Sequence, residues 1–265
     1  MQAEADAVTA LVAEAQRAAS GDAYAWTLQA CDRLRAQPWE PPACTQVSLA
    51  HWARADPGNA WPWMMLASRA QEAGDASGAE SALARASLAA DWTHPAERLR
   101  RLYTQAAPVG VQTEEFLEGW MALMTWDTQA LGGPIGVVRA CSAPLDPNRQ
   151  QVCARLARAM MEKSTTLLGL KLGIAIAEQA AVSGATVQAA RSEAERINAL
   201  VRAEAPPVER AGRPDVAQGR REACSDLDDR AARALRLGLQ GERATLMEDV
   251  RQRSGSAGAR PPVSR

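Results

Sequence analysis

The sequence predicts an all-α protein, a solenoid-like stack of antiparallel helical hairpins with no sheet. Three observations carry this reading. Apolar residues recur at three- and four-residue spacing along almost the whole chain, as on the buried face of a helix. No segment of useful length alternates with period two, the mark of a half-buried strand. Clusters of Pro, Gly, Asp and Asn divide the chain at intervals suited to short helices. With 265 residues, 47% of them hydrophobic, the chain is long enough for a substantial core.

The elements follow from these signals in order. Residues 3–19 form one helix, with Val8, Leu11, Val12 and Ala15 on one face, stopped by Ser20-Gly21-Asp22. A second runs over 23–34. A proline-rich connector follows, then a helix over 44–55 that ends at the turn Asp56-Pro57-Gly58-Asn59. Helices over 60–73 and 76–90 are split by Gly74-Asp75. Thr93-His94-Pro95 begins the next, with Leu99, Leu102 and Tyr103 apolar, and Pro108-Val109-Gly110 breaks it. Thr113 is the expected N-cap of a helix whose apolar stripe is Phe116, Leu117, Trp120, Met121 and Met124. After a break at 131–134, Asp146-Pro147 reads as an N-cap followed by proline at the first helical position. That helix carries Val152, Leu156, Met160 and Met161. Helices over 165–182 and 186–204 come next, and Ser225 with Asp228 fits a cap for a final one.

These elements group into regions. Residues 1–128 hold every Trp, Tyr and Phe, all between Tyr24 and Trp126. Residues 129–205 continue the stack with hairpins packed by aliphatic side chains alone. Residues 206–219 read as a linker or long loop, 220–253 as a single C-terminal helix, and 254–265, small and polar with prolines, as a disordered tail.

Within the first region, 58–91 carries a recognisable pattern. Trp63, Leu66, Ala67 and Ala70 on one helix are matched by Ala79, Leu83 and Ala86 on the next, with Gly74-Asp75 between. The alanines let two helix backbones approach, and Trp and Leu fill the remaining space. This unit resembles a tetratricopeptide repeat. The resemblance implies a concave face that takes an extended peptide or a partner helix, lined here by Trp61, Met64, Ser68, Gln71 and Glu72. The family's clamp for a partner's C-terminal carboxylate needs Lys, Arg and Asn at such places, and Met64 and Ser68 do not supply it.

The cysteines bear on the compartment. Cys31 and Cys44, 13 apart, and Cys141 and Cys153, 12 apart, each bracket a proline-containing connector between helices. A helix ending at one cysteine and another starting near its mate brings the pair within disulfide reach. The expected bonds are Cys31–Cys44 and Cys141–Cys153, with Cys224 left over. Such bonds persist in oxidising surroundings, so the expected location is periplasmic or otherwise extracytoplasmic, with a cytoplasmic protein of five buried thiols as the alternative. The given chain opens without a basic stretch and apolar core of the signal-peptide kind, and it has no apolar run long enough to span a membrane.

Little in the sequence speaks of catalysis. His51 and His94 are the only histidines, and zinc-protease, P-loop and nucleophile-elbow patterns are absent. A metal site from Cys31, Cys44, His51 and His94 fails on spacing, since Cys44 and His51 on one helix lie about 10 Å apart along its axis. No metal or cofactor is expected. The 30 basic and 31 acidic residues nearly cancel, and their mixing argues against a nucleic-acid surface. The expected function is therefore non-catalytic binding of a protein or peptide, in the role of an extracytoplasmic adaptor or assembly factor. The alternatives are a carboxylate-based hydrolase or lyase acting on a cell-envelope glycan, and a purely structural subunit.

Overall fold

In a computed structural model, the protein is described over residues 2–18, 21–35, 42–107, 112–128, 135–142, 145–204 and 216–258. Within these, the side chains of 2–5, 18, 33–35, 124–128, 135, 204, 216–226 and 255–258 lie outside the description. Among the described residues there are thirteen α-helices and no strand. They are α1 (Gln2–Ala18), α2 (Gly21–Arg35), α3 (Leu49–Ala55), α4 (Ala60–Glu72), α5 (Ala76–Leu88), α6 (Pro95–Ala106), α7 (Thr113–Thr128), α8 (Ile135–Ala140), α9 (Pro147–Lys163), α10 (Leu167–Gln179), α11 (Ala185–Glu204), α12 (Val216–Gln240) and α13 (Glu242–Gly258). A short 3-10 turn, Pro42–Gln46, precedes α3.

The helix boundaries follow local chemistry. Asn59 Oδ1 accepts from Trp61 N, Asp75 Oδ1 from Gly78 N, and Asp146 Oδ1 from Asn148 N and Arg149 N, each satisfying donors that a helix start leaves unpaired. His94, expected at a helix start, caps α6 by accepting the Ala96 N–H at Nδ1, 3.2 Å away. These amide donors hold the exposed Asp75 and Asp146 carboxyls below the usual carboxylate range. Gly74, at φ +75°, ends α4 in the left-handed conformation that a side chain resists.

Packing begins as a line of neighbours: α1 on α2, α2 on α3, α3 on α4, and α4 on α5. At the α4–α5 contact Ala67, Ala79, Leu83 and Ala86 are fully buried, so small residues do set the close approach. The line then departs from chain order. The next neighbour of α5 is α9, followed by α10 and α11, whereas α6 packs on α2 and α12. Because α13 packs on both α11 and α12, the contacts return to their starting point and close a circuit.

Several expectations are corrected. The single helix expected over 220–253 is two, parted at Gly241, whose φ of +88° suits glycine. The helix α12 begins at Val216, so 216–219 belong to it and Ser225 lies inside the helix instead of capping it; 205–215 lie outside the described residues. The helix α13 reaches Gly258, inside the stretch expected to be a disordered tail, and 259–265 are not described. Cys44 sits in the 3-10 turn, not in α3. The helix α8 was not anticipated.

The two cysteine pairs lie at disulfide distance, with Cα separations of 5.5 Å for Cys31–Cys44 and 5.7 Å for Cys141–Cys153, and all four residues are buried. Cys224 is on α12, and its side chain lies outside the described residues.

One arginine locks the first three hairpins together. The Arg98 guanidinium on α6 meets Asp22 at 2.7 Å, Asp56 at 3.2 Å and Asp91, carboxylates from three separate corners of the chain. Burial pushes the Asp91 carboxyl up, but hydrogen bonds from Thr93 and the charge of Arg98 together leave it below its ordinary value. A depressed carboxyl contributes stability above its unfolded pKa and loses it as pH falls through the folded value. Arg98→Met is expected to cost about 1–2 kcal/mol at neutral pH, after allowance for solvent screening of a partly exposed cluster. It should also flatten the loss of stability below about pH 4. Urea midpoints at pH 7 and in the acid limb check both; an unchanged midpoint and slope would show the cluster to be inert.

Candidate functional site

The face of α4 expected to form a groove is not open. Trp61, Met64 and Ser68 do share one stripe of α4, but they are 3%, 0% and 2% exposed. Trp61 turns to the segment after α5, where its Nε1 donates to Trp92 O at 3.1 Å and its ring meets His94 edge-on. Ser68 faces α8, accepting the Gly136 N–H at 3.1 Å. A Cβ on Gly136 would lie only 2.7 Å from Ser68 Cα, so glycine is what lets α8 settle on α4. The helix α8 also touches α5 and α10, and Cys141, the residue after it, is bonded to Cys153 on α9. Gln71 and Glu72, at the end of α4, are half-buried and exposed. The expected face is thus covered by the segment after α5 at Trp61 and by the chain's own α8 at Ser68, which a reading of α4 by itself had no means of foreseeing.

A second polar site forms where α13 meets the α9–α10 corner. Glu97, 3% exposed, accepts from the Thr165 hydroxyl and from Glu242 N. Glu242 accepts from Leu167 N at 3.0 Å, at the start of α10. Arg243 grips Glu193 with two bonds, at 2.5 and 2.7 Å, and donates to the carbonyls of Met161 and Ser164 at the end of α9. Glu97, Glu242 and Glu193 are all engaged in holding helix ends or an ion pair, the pattern of a structural joint. Among the described residues no group of three or more His, Cys, Asp or Glu is placed to hold a metal ion, and Cys31 and Cys44 of the discarded metal set are bonded to each other.

The open apolar site lies between α7 and α12. Phe116 and Trp120 turn inward and pack with Ala234 in a small core of their own, backed by Tyr103, whose hydroxyl donates to Phe116 O at 3.0 Å. Burial, and secondarily the charge of Glu115, pushes the Tyr103 phenol up, which keeps it a donor. Gly119 and Gly238 leave room for Tyr103 and for Thr104 where α6 meets α7 and α12. This core consumes only one side of the α7 stripe. Met121 and Leu227, with Leu117 and Leu237 at the edge of that core, line a groove of about 390 Å³ that reaches Trp120 and Ala234. Met121 is 60% exposed. The rims carry opposite charge: Glu114 and Glu118 on α7, Arg230 and Arg233 on α12. The sequence did hold a signal for this site. The α7 stripe spans too wide an arc for one partner, but its second neighbour, α12, lies more than a hundred residues away.

No protein-family model, curated protein or solved structure matches the chain. Among the described residues, no helix is long and apolar enough to cross a membrane.

Proposed function

We propose that this chain is a non-catalytic, extracytoplasmic binding protein of the adaptor or assembly-factor kind, and that it takes an amphipathic helix into the α7–α12 groove. The observation that carries this reading is the groove itself: apolar lining that includes Trp120, an exposed Met121 and charged residues of opposite sign on the two helices. Binding modules that accept a helix lay its apolar face into such a trough and select it by flanking charges. The α4–α5 hairpin, with its alanine contacts, is read as one tetratricopeptide-like unit whose own concave face is filled from within. The location outside the cytoplasm is supported by the two buried cysteine pairs.

The test uses a labelled synthetic helix with leucine at core spacing, lysines along one flank and glutamates along the other. Fluorescence anisotropy should show saturable binding to the full chain. Met121→Glu should weaken it at least about tenfold, since a charge would be placed on the apolar wall. Leu88→Glu, on α5 and 71% exposed, should leave it unchanged. Absence of binding, or equal binding by the Met121 variant, would reject the groove.

A further inference from the structure

Resting on the partner-binding reading above, we infer that the partner of the α7–α12 groove is a second copy of this chain, docked about a two-fold axis that runs along the groove. The argument is one of charge and symmetry. The acidic rim (Glu114, Glu118) and the basic rim (Arg230, Arg233) face each other across the apolar walls. Rotation by half a turn about an axis parallel to the groove exchanges left and right. The acidic rim of one copy then meets the basic rim of the other, twice, while the two apolar troughs close on each other. Rotation about an axis across the groove would set acid against acid. The surface is therefore self-complementary in one isologous arrangement, the commonest symmetry of soluble oligomers. Met121, exposed on α7, supplies the projecting apolar side chain that such a contact needs at its centre.

Arg233 pairs with Asp249 of α13 at 3.3 Å, which fixes that rim in place.

The experiment is sedimentation equilibrium on the full chain, with two exposed rim residues reversed one at a time. Wild type is expected to associate to a dimer. Glu118→Arg leaves the acidic rim with one charge of each sign and Arg230→Glu does the same to the basic rim, so each by itself loses both rim attractions and should associate at least about tenfold more weakly. Mixing the two variants should restore a dimer, because the untouched basic rim of the first then meets the untouched acidic rim of the second. Circular dichroism must show both variants folded; Met121→Glu, expected to be monomeric, provides an independent variant if either is not. Monomeric wild type at every concentration, singly reversed variants that still pair, or a mixture that fails to recover would each overturn the inference. If wild type is monomeric yet the synthetic helix binds, self-pairing is wrong and the groove reading stands. If neither occurs, both are wrong.

Discussion

Replacing all four paired cysteines by alanine is expected to lower stability by about 6 kcal/mol, the largest single effect available in this molecule. In the chain-entropy account each bond closes a loop of just over a dozen residues and contributes about 3 kcal/mol by restricting the unfolded chain. Ordinary domains have only about 5–15 kcal/mol in total, so the quadruple variant should be largely unfolded at physiological temperature. The two bonds should not be equivalent in their consequences. Cys31–Cys44 joins α2 to the turn before α3, where Val8, Val12, Ala25 and Leu28 already form a buried cluster with Cys31. Cys141–Cys153 holds the chain just after α8, a helix of only 6 residues that cannot persist without its contacts. Loss of the second bond should therefore loosen α8 from α4 and raise the exposure of Ser68 and Met64 before the whole chain unfolds. Amide exchange at Gly136 and Val137, compared between Cys141→Ala/Cys153→Ala and Cys31→Ala/Cys44→Ala, checks this. Equal exchange in both, with an unchanged melting temperature, would show the bonds to be dispensable.

Arg243→Ala is the second large expectation, at about 2–3 kcal/mol once solvent screening of a partly exposed pair is allowed for. The guanidinium and Glu193 are each only 19% exposed and share two hydrogen bonds, and the same group closes the carbonyl end of α9. Removing one partner leaves Glu193 a partly buried charge without its counter-ion, which costs more than the pair contributes over an apolar replacement. The effect should be localised first. Once α13 is released from the α9–α10 corner, the circuit opens, and α11 loses the cover that Leu246 gives Ile197 and Leu200. Arg243→Lys should recover little, because an ammonium cannot reproduce the forked contact. Chemical denaturation reads the magnitude, and proteolysis between α12 and α13 reads the location. A variant as stable and as protease-resistant as wild type would remove the joint from the account.

Much of the fold was legible in the amino-acid order because helix formation is local. Caps at Asn59, Asp75, His94 and Asp146 act within three residues, so their chemistry and their effect sit side by side in the chain. The same holds for both cysteine pairs, whose short separations make helix geometry sufficient to join them. The boundaries that were missed have local reasons too: Gly241 parts α12 from α13, but Gly238, three residues earlier, stays inside α12, so a glycine in this stretch is a weak signal.

The candidate sites were legible only in part. Trp61, Met64 and Ser68 are where helical periodicity puts them, on one stripe of α4, but periodicity says only that a stripe is covered and not by what. Whether the cover is a partner or the chain itself depended on Gly136, 68 residues further on, fitting against Ser68. The α7 stripe was equally visible, yet the groove beside Trp120 exists only because α12 returns to lie along α7. The order of residues thus determined the helices, their caps and the sulfur pairs, all governed by contacts a few residues long or by closure of short loops. Which stripes meet, which one the chain fills for itself and which one it leaves open were decided by tertiary packing, where surfaces far apart in the chain compete for the same apolar face.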